Sequence, residues 1–410
     1  MSSAAPADVQ AAAVDQHSLA AIARARWDGF KGGDVGSLPV IVGIIAITAF
    51  FTSKTDVFFT SVNFTNLIGQ MAGVTVIAIG VVFVLLIGEI DLSIGFVSGL
   101  AGVLVAELQQ PDSGHQVPGL VAIALALGAG AAIGLVQGSF VAFIGVPSFV
   151  VTLAGLLIWQ GVILQALGTQ GVIGIQDKQI NDVANYVLTK NTGWIVAIVF
   201  TVGLAAAAVG SYLSRRRAGL PTGNITLTVL RIAFYGGLAF AAVAVCNHSR
   251  GVPLVGLILL FLVVLGAYVA NRTRFGRHVY AVGGNAEASR RAGINVKLIR
   301  ICCFTISGAM AAMGGIIFAS RLNAVDLTAG GGTILLDAIS AAVIGGVSLF
   351  GGRGRVSGAL FGGLIIGMIA NGIDLVGYTD AVKYITTGVI LLAAVTLDTV
   401  ARRRQVAAGR

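Results

Sequence analysis

RTRFGRHVYAVGGNAEASRRAGINV, Arg272 to Val296, lies between two apolar blocks, GVPLVGLILLFLVVLGAYVAN (Gly251–Asn271) and IRICCFTISGAMAAMGGIIFAS (Ile299–Ser320). The polar stretch holds five arginines and one glutamate. Each flank is long enough to cross a bilayer as a helix, which takes about 20 apolar residues. Something other than lipid must receive the segment between them.

Composition makes the same point for the whole chain. Of 410 residues, 56% are hydrophobic and only 10% charged, with a mean hydropathy of +0.93. A soluble domain carries roughly 25% charged residues, so too few polar groups are present to cover a water-facing surface. The 57 glycines suit membrane helices, which approach one another closely through small residues. The net charge of +9 is concentrated between apolar blocks. No basic stripe with interleaved aromatics points to nucleic acid.

Apolar blocks divided by polar or Gly/Pro punctuation give about twelve spans (10–12), an all-α polytopic membrane protein. They run Leu38–Ser53, Leu67–Gly88, Ile94–Leu108, Gly119–Phe143, Phe149–Leu167, Trp194–Leu213, Thr228–Val245, Val252–Ala270, Ile299–Ser320, Ile334–Phe350, Val356–Asp374 and Ala381–Thr399. Some are short, so a re-entrant helix can replace a pair. Residues 1–37 read as a tail without a cleavable signal, disordered or carrying a short amphipathic helix near Leu19–Trp27. Residues 38–400 read as the transmembrane domain, 271–298 as a polar loop within it, and 401–410 as a basic tail. Arg24, Arg26, Lys31, Arg215–Arg217, the opening segment, Arg353, Arg355 and Arg402–Arg404 all fall on one side if twelve spans alternate. AELQQPDSGHQVP (Ala106–Pro118), on the other side, has no Lys or Arg. Both termini are therefore expected in the cytoplasm.

No enzyme motif is present. The chain lacks GxxxxGK[ST], HExxH and GxSxG, so ATP, if used, is bound by another chain. Cys246, Cys302 and Cys303 lie in apolar segments without a CxxC, which suits core packing. The histidines form no ligand cluster, and no metal or cofactor is expected. Trp27, Trp159, Trp194, Tyr186 and Tyr378 suit interfacial anchoring.

Within the opening segment, Gly283 and Gly284 permit a turn and Asn285 can cap a short helix over Ala286–Ala292. Gly293 can end it. Such a helix on the membrane surface can seat in a soluble partner; a basic loop serving only topology is the plainer alternative. In LIGEIDLS (Leu86–Ser93), Glu89 and Asp91 end a long apolar helix. Acidic groups at membrane depth usually face a cavity or partner. Asp91 or Ser93 as a helix cap is the plainer alternative. Ser93, Asn371 and Asp374 are further candidates for a polar pathway, although interhelical hydrogen bonds also account for polar residues in spans. GGVSLFGGRGRVSG (Gly345–Gly358) echoes LIGEIDLSIGFVSG (Leu86–Gly99) as a weak internal repeat of the kind transporters use.

TRFGRHVYAVGGNAEASRRAGINV (Thr273–Val296) resembles the corresponding loop of the ribose/xylose class of ABC importer permeases. GEIDLSIGFVSGLAG (Gly88–Gly102), GVPSFVVTLAGLL (Gly145–Leu157) and LDAISAAVIGGVSLFGGRGRVSGALFGGLIIG (Leu336–Gly367) resemble the same class, and an extra pair of spans before GVPLVG is similar to its longer xylose branch. The resemblance implies a permease without bond chemistry for a monosaccharide, a pentose such as xylose. It implies a cytoplasmic ABC ATPase subunit, an extracytoplasmic sugar-binding protein and a second permease copy as partners. It also implies that the loop is the ATPase-coupling element, with Gly276, Gly284, Glu287, Arg291 and Gly293 matching. The reading AEASRRAG departs from the family's usual loop. An ion-coupled secondary sugar transporter is the alternative, with Glu89 and Asp91 as proton relays.

Overall fold

The computed structural model describes residues 38–110, 114, 116–220 and 224–407. The expected amphipathic helix near Leu19–Trp27 lies outside the described residues. Fifteen α-helices occur among those described: α1 (Leu38–Thr52), α2 (Ser61–Leu86), α3 (Ile94–Glu107), α4 (Gly119–Ser139), α5 (Ser148–Leu167), α6 (Lys178–Asn185), α7 (Lys190–Arg217), α8 (Ile225–His248), α9 (Leu254–Arg272), α10 (Arg274–Gly284), α11 (Ala286–Arg291), α12 (Val296–Leu322), α13 (Ile334–Ile344), α14 (Gly358–Val376) and α15 (Asp380–Ala407). A π turn, Phe140–Ile144, prolongs α4. Setting aside the short polar α6, α10 and α11, twelve helices match the twelve apolar blocks. Eight are long and apolar enough to cross a membrane, whereas α1, α3 and α13 are apolar but shorter.

Several boundaries differ from expectation: α2, α7 and α8 begin three to six residues earlier, at Ser61, Lys190 and Ile225. The loop after α5 contains a helix, α6, because Asp177 Oδ1 accepts from Ile180 N at 3.0 Å and caps it. The tenth span stops at Ile344, where Gly345 and Gly346 turn the chain; Gly346 takes a φ of +88°. The last helix runs on to Ala407, so the basic end begins as helix. Trp159 lies near the middle of α5 and packs against the core rather than at an interface.

Two compact units divide the described residues: those within 38–42 and 188–252, and those within 43–187 and 253–407. In the first, α7 and α8 pair, with Asn247 Nδ2 donating to Lys190 O at 3.1 Å. In the second, α12 packs against α2, α3 and α4. Every residue of α2 and its cap from Thr75 to Ile87 is buried, as expected of a helix apolar on all sides. Glycines set the α4–α12 distance: a Cβ on Gly308 would land on the Gly130 carbonyl oxygen. The strands β1 (Val172–Gly174) and β2 (Ala324–Asp326) form a small antiparallel ribbon with Ile173 opposite Val325.

The internal repeat lies elsewhere than the sequence echo suggested. IDLS at Ile90–Ser93 separates α2 from α3, and VDLT at Val325–Thr328 separates α12 from α13. In the first, Asp91 Oδ1 accepts from Ser93 N at 3.0 Å and Ser93 Oγ at 2.7 Å. In the second, Asp326 Oδ1 accepts from Thr328 N at 2.8 Å and Thr328 Oγ1 at 2.6 Å. Each is a side-chain turn in which Asp replaces a backbone acceptor. The two long helices run antiparallel: Gly73 lies by Phe318 and Gly80 by Ser307. The repeat is thus inverted, a long helix and a short helix joined by an Asp turn. GGVSLFGGRGRVSG forms a glycine loop instead, with left-handed φ at Gly346, Gly351 and Gly352.

Candidate functional site: a polar break and a surface segment

After Leu86 the backbone leaves the helix and re-enters the bundle before α3 begins, freeing polar groups that must find partners. Asp91 is 6% exposed. Its Oδ1 is taken by Ser93 and its Oδ2 accepts from Ser307 Oγ of α12 at 3.0 Å. Ser93 Oγ also lies 3.0 Å from the Gln137 amide of α4. That hydroxyl has one proton, given to Asp91, so the Gln137 amide fits best with its NH2 turned toward Ser93. In the opposite orientation Nε2 is buried without a partner. From α5, Ser148 Oγ accepts from Ile90 N at 3.3 Å. Glu89 faces Arg300 of α12, with Oε1 3.1 Å from Nε. A cavity of about 230 Å³ opens beside Asp91, walled by Val84, Leu85 and Ile90 and by Ile339, Leu349 and Leu391.

The segment between α9 and α12 is two helices rather than one. Thr273 Oγ1 accepts from Gly276 N at 3.1 Å and starts α10. Gly283 and Gly284 stay helical as its last residues; the turn falls on extended Asn285. Asn285 Oδ1 accepts from Ala288 N at 2.9 Å, capping α11 as the sequence suggested. Gly293 follows with a φ of +84°, a conformation that costs an L side chain energy. Glu287 pairs with Arg290 at 2.8 Å and Arg291 at 3.1 Å, all three exposed. Gly276 is buried at the corner with α9, where a Cβ would strike Ala270 O. Gly284, Glu287, Arg291 and Gly293 are exposed; Gly276 faces inward. The Tyr280 hydroxyl donates to Gly354 O at 2.9 Å, and burial holds it above its usual pKa.

The family model "Branched-chain amino acid transport system / permease component" matches residues 63–395. The chain belongs to that permease family. It is 36% identical over 379 residues to the xylose transport system permease protein XylH of Escherichia coli, covering 92% of this chain and 95% of the relative. It is 33% identical to the ribose import permease protein RbsC of Escherichia coli, over 87% of this chain and 92% of the relative. The fructose import permease protein FrcC of Rhizobium meliloti is 29% identical over 90% of this chain and 86% of the relative. No solved structure matches. The fold is accordingly that of a multi-pass membrane permease.

In this permease the five pathway candidates form two groups. Glu89, Asp91 and Ser93 cluster at the break. Asn371 and Asp374 lie on α14 near the start of α2, roughly 35 Å away along that helix at 1.5 Å per residue. Asn371 and Asn63 exchange amide hydrogen bonds of 3.0 and 2.9 Å, and Asn371 Nδ2 also donates to Gln70 Oε1 at 3.0 Å. Asn371 is thereby occupied in tying α14 to α2. Asp374 is exposed and 3.6 Å from Lys383. Ser307, Arg300 and Ser148 were not singled out as site residues. Ser148 stands in the motif GVPSFVVTLAGLL, one of those that carry the resemblance, but nothing local marks it as a partner of Ile90. Ser307 gave no signal, being an ordinary residue of an apolar span; Arg300 gave one, as a charge within the block Ile299–Ser320. A second buried carboxylate was also missed: Asp337 of α13 accepts from Thr333 at 2.6 Å and Thr387 at 3.2 Å.

Proposed function

We propose that this permease is the membrane subunit of an ATP-driven ABC importer for a monosaccharide, a pentose of the xylose type. The observation that carries the reading is the 36% identity to a xylose permease along almost the whole of both chains. The ribose and fructose permeases among its relatives support a monosaccharide substrate more broadly. Two copies of the permease enclose the pathway. A cytoplasmic ATPase docks on α10 and α11, with Gly276, Gly284, Glu287, Arg291 and Gly293 forming or shaping the contact. A sugar-binding protein delivers substrate from the other side. Both termini face the cytoplasm of the inner membrane, in line with the Lys and Arg distribution. The chain itself catalyses no bond chemistry: ATP closes the ATPase pair, α10 and α11 move, and the spans reorient between outward and inward openings. Glu89, Asp91 and Ser93 lie along the path near its cytoplasmic part, Asn371 and Asp374 near its outer part.

The test is uptake of radiolabelled xylose into proteoliposomes holding the permease, its ATPase and its binding protein. Uptake is expected to require ATP and the binding protein and to persist when a protonophore dissipates the proton gradient. Uptake that stops with the gradient while ATP remains, or that runs at full rate without the ATPase, refutes the assignment.

A further inference from the structure

Two unlike contacts bind the surface segment to the re-entrant parts of the bundle, and a third is made just beyond it by α12. First, α10 meets α2 backbone to backbone: a Cβ on Gly283 would fall on the Leu86 carbonyl oxygen, and Gly352 N donates to that same oxygen at 2.8 Å. Second, Tyr280 of α10 donates to Gly354 O at 2.9 Å. Third, Arg300, in the first turns of α12 just beyond α11, faces Glu89 at 3.1 Å. The segment therefore grips two places at once: the break between α2 and α3, and the glycine loop between α13 and α14. Ser348 N to Arg353 O, 3.0 Å, closes that loop on itself.

We propose that Gly283, Tyr280 and the Glu89–Arg300 pair form a stiff joint that carries displacement of α10 into both the break and the glycine loop. It rests on the reading that an ATPase docks on α10 and α11. Side chains absorb small displacements by changing rotamer; backbone packed on backbone has no such slack. Phe275 of α10 stacks on Phe83 of α2, 6.4 Å between centroids, and keeps the two in register. The helices reached are α3, which begins at the break, and α13, which ends at the loop. Both are too short to span the membrane. The apolar cavity lies between the two gripped segments, walled by Ile90 from one and Leu349 from the other. It provides room for them to move. The pairing is distinct from docking itself, because Gly283 and Glu89 face into the bundle rather than toward a soluble partner.

Tyr280→Phe removes one hydroxyl and leaves the ring in place. Glu89→Arg and Arg300→Glu each break the ion pair, and the double variant restores it reversed. Xylose moved per ATP hydrolysed is measured in the reconstituted complex, with assembled complex quantified for each variant. Tyr280→Phe and both single charge variants should lower the ratio by about 2- to 30-fold, the range for residues along a coupling route. The double variant should recover most of it. If wild type shows no ATP-dependent uptake, the importer reading fails and this proposal with it. If wild type is coupled but Tyr280→Phe keeps the wild-type ratio, or the double charge variant is no better than the singles, the joint alone is refuted.

Discussion

Asp91 shows what a carboxylate at membrane depth requires. An unpartnered acidic group there costs about 2.5 to 3.5 kcal/mol or more. Asp91 offsets this by accepting from Ser93 N, Ser93 Oγ and Ser307 Oγ. The cap reading and the pathway reading therefore separate by substitution. Asp91→Ala removes the acceptor of the buried Ser93 N and Ser307 Oγ, and a loss of about 3 kcal/mol is expected from unmade hydrogen bonds, visible as reduced thermal stability of the detergent-solubilised protein. Asp91→Asn keeps one acceptor oxygen and adds an amide that Ser307 Oγ can accept from. That variant should assemble normally yet take up less sugar. Wild-type uptake by Asp91→Asn would leave Asp91 with the structural role only. The sequence offered Asp91 or Ser93 as a cap of α3; in the structure Ser93 makes no side-chain cap bond, and Asp91 instead accepts from Ser93. Ser307 was not legible as a partner, since it lies 216 residues away and nothing local marks it.

Among the elements, α12 carries the most consequence, because α2, α3 and α4 all pack on it. Lipid supplies no hydrophobic drive between helices, so close packing of small residues must. Gly308 on α12 lies directly against the Gly130 backbone of α4. Gly308→Val should cost about 3 kcal/mol by overpacking and sharply reduce folded protein in the membrane. Gly161→Val on α5, where nothing lies within 4 Å, should fall within about 0.5 kcal/mol of wild type. Comparing denaturation in mild detergent across the pair checks this; equal losses would mean glycine content rather than contact sets stability. The helices themselves were readable, since an apolar run has to be helical in lipid. Which glycine abuts which backbone was not, because all 57 look alike in the sequence.

At the scale of the molecule, the arginine distribution predicts which loops share a side of the membrane. A variant with Cys246, Cys302 and Cys303 replaced by Ser receives a single reporter, either Arg290→Cys or Thr379→Cys. A membrane-impermeant maleimide added to intact spheroplasts should label Thr379→Cys and reach Arg290→Cys only after permeabilisation. External labelling of Arg290→Cys would reverse the topology and remove any ATPase from α10 and α11. The inverted repeat belongs to this scale as well. IDLS and VDLT share only Asp and Leu, so identity alone does not announce them; the same hydrogen-bond pattern after each long helix does.

The sequence alone determined that the chain lives in a membrane as about twelve helices, where most of them begin and end, and that a charged segment must leave the lipid between the eighth and ninth. Those properties follow from local composition, because lipid tolerates few backbone states and few charges. Tertiary structure decided that this segment bends into two helices gripping Leu86 and Gly354, that Glu89 answers Arg300, and that Asn371 is engaged with Asn63 and Gln70. Such pairings join residues far apart in the chain, and only the packed arrangement brings their atoms within reach.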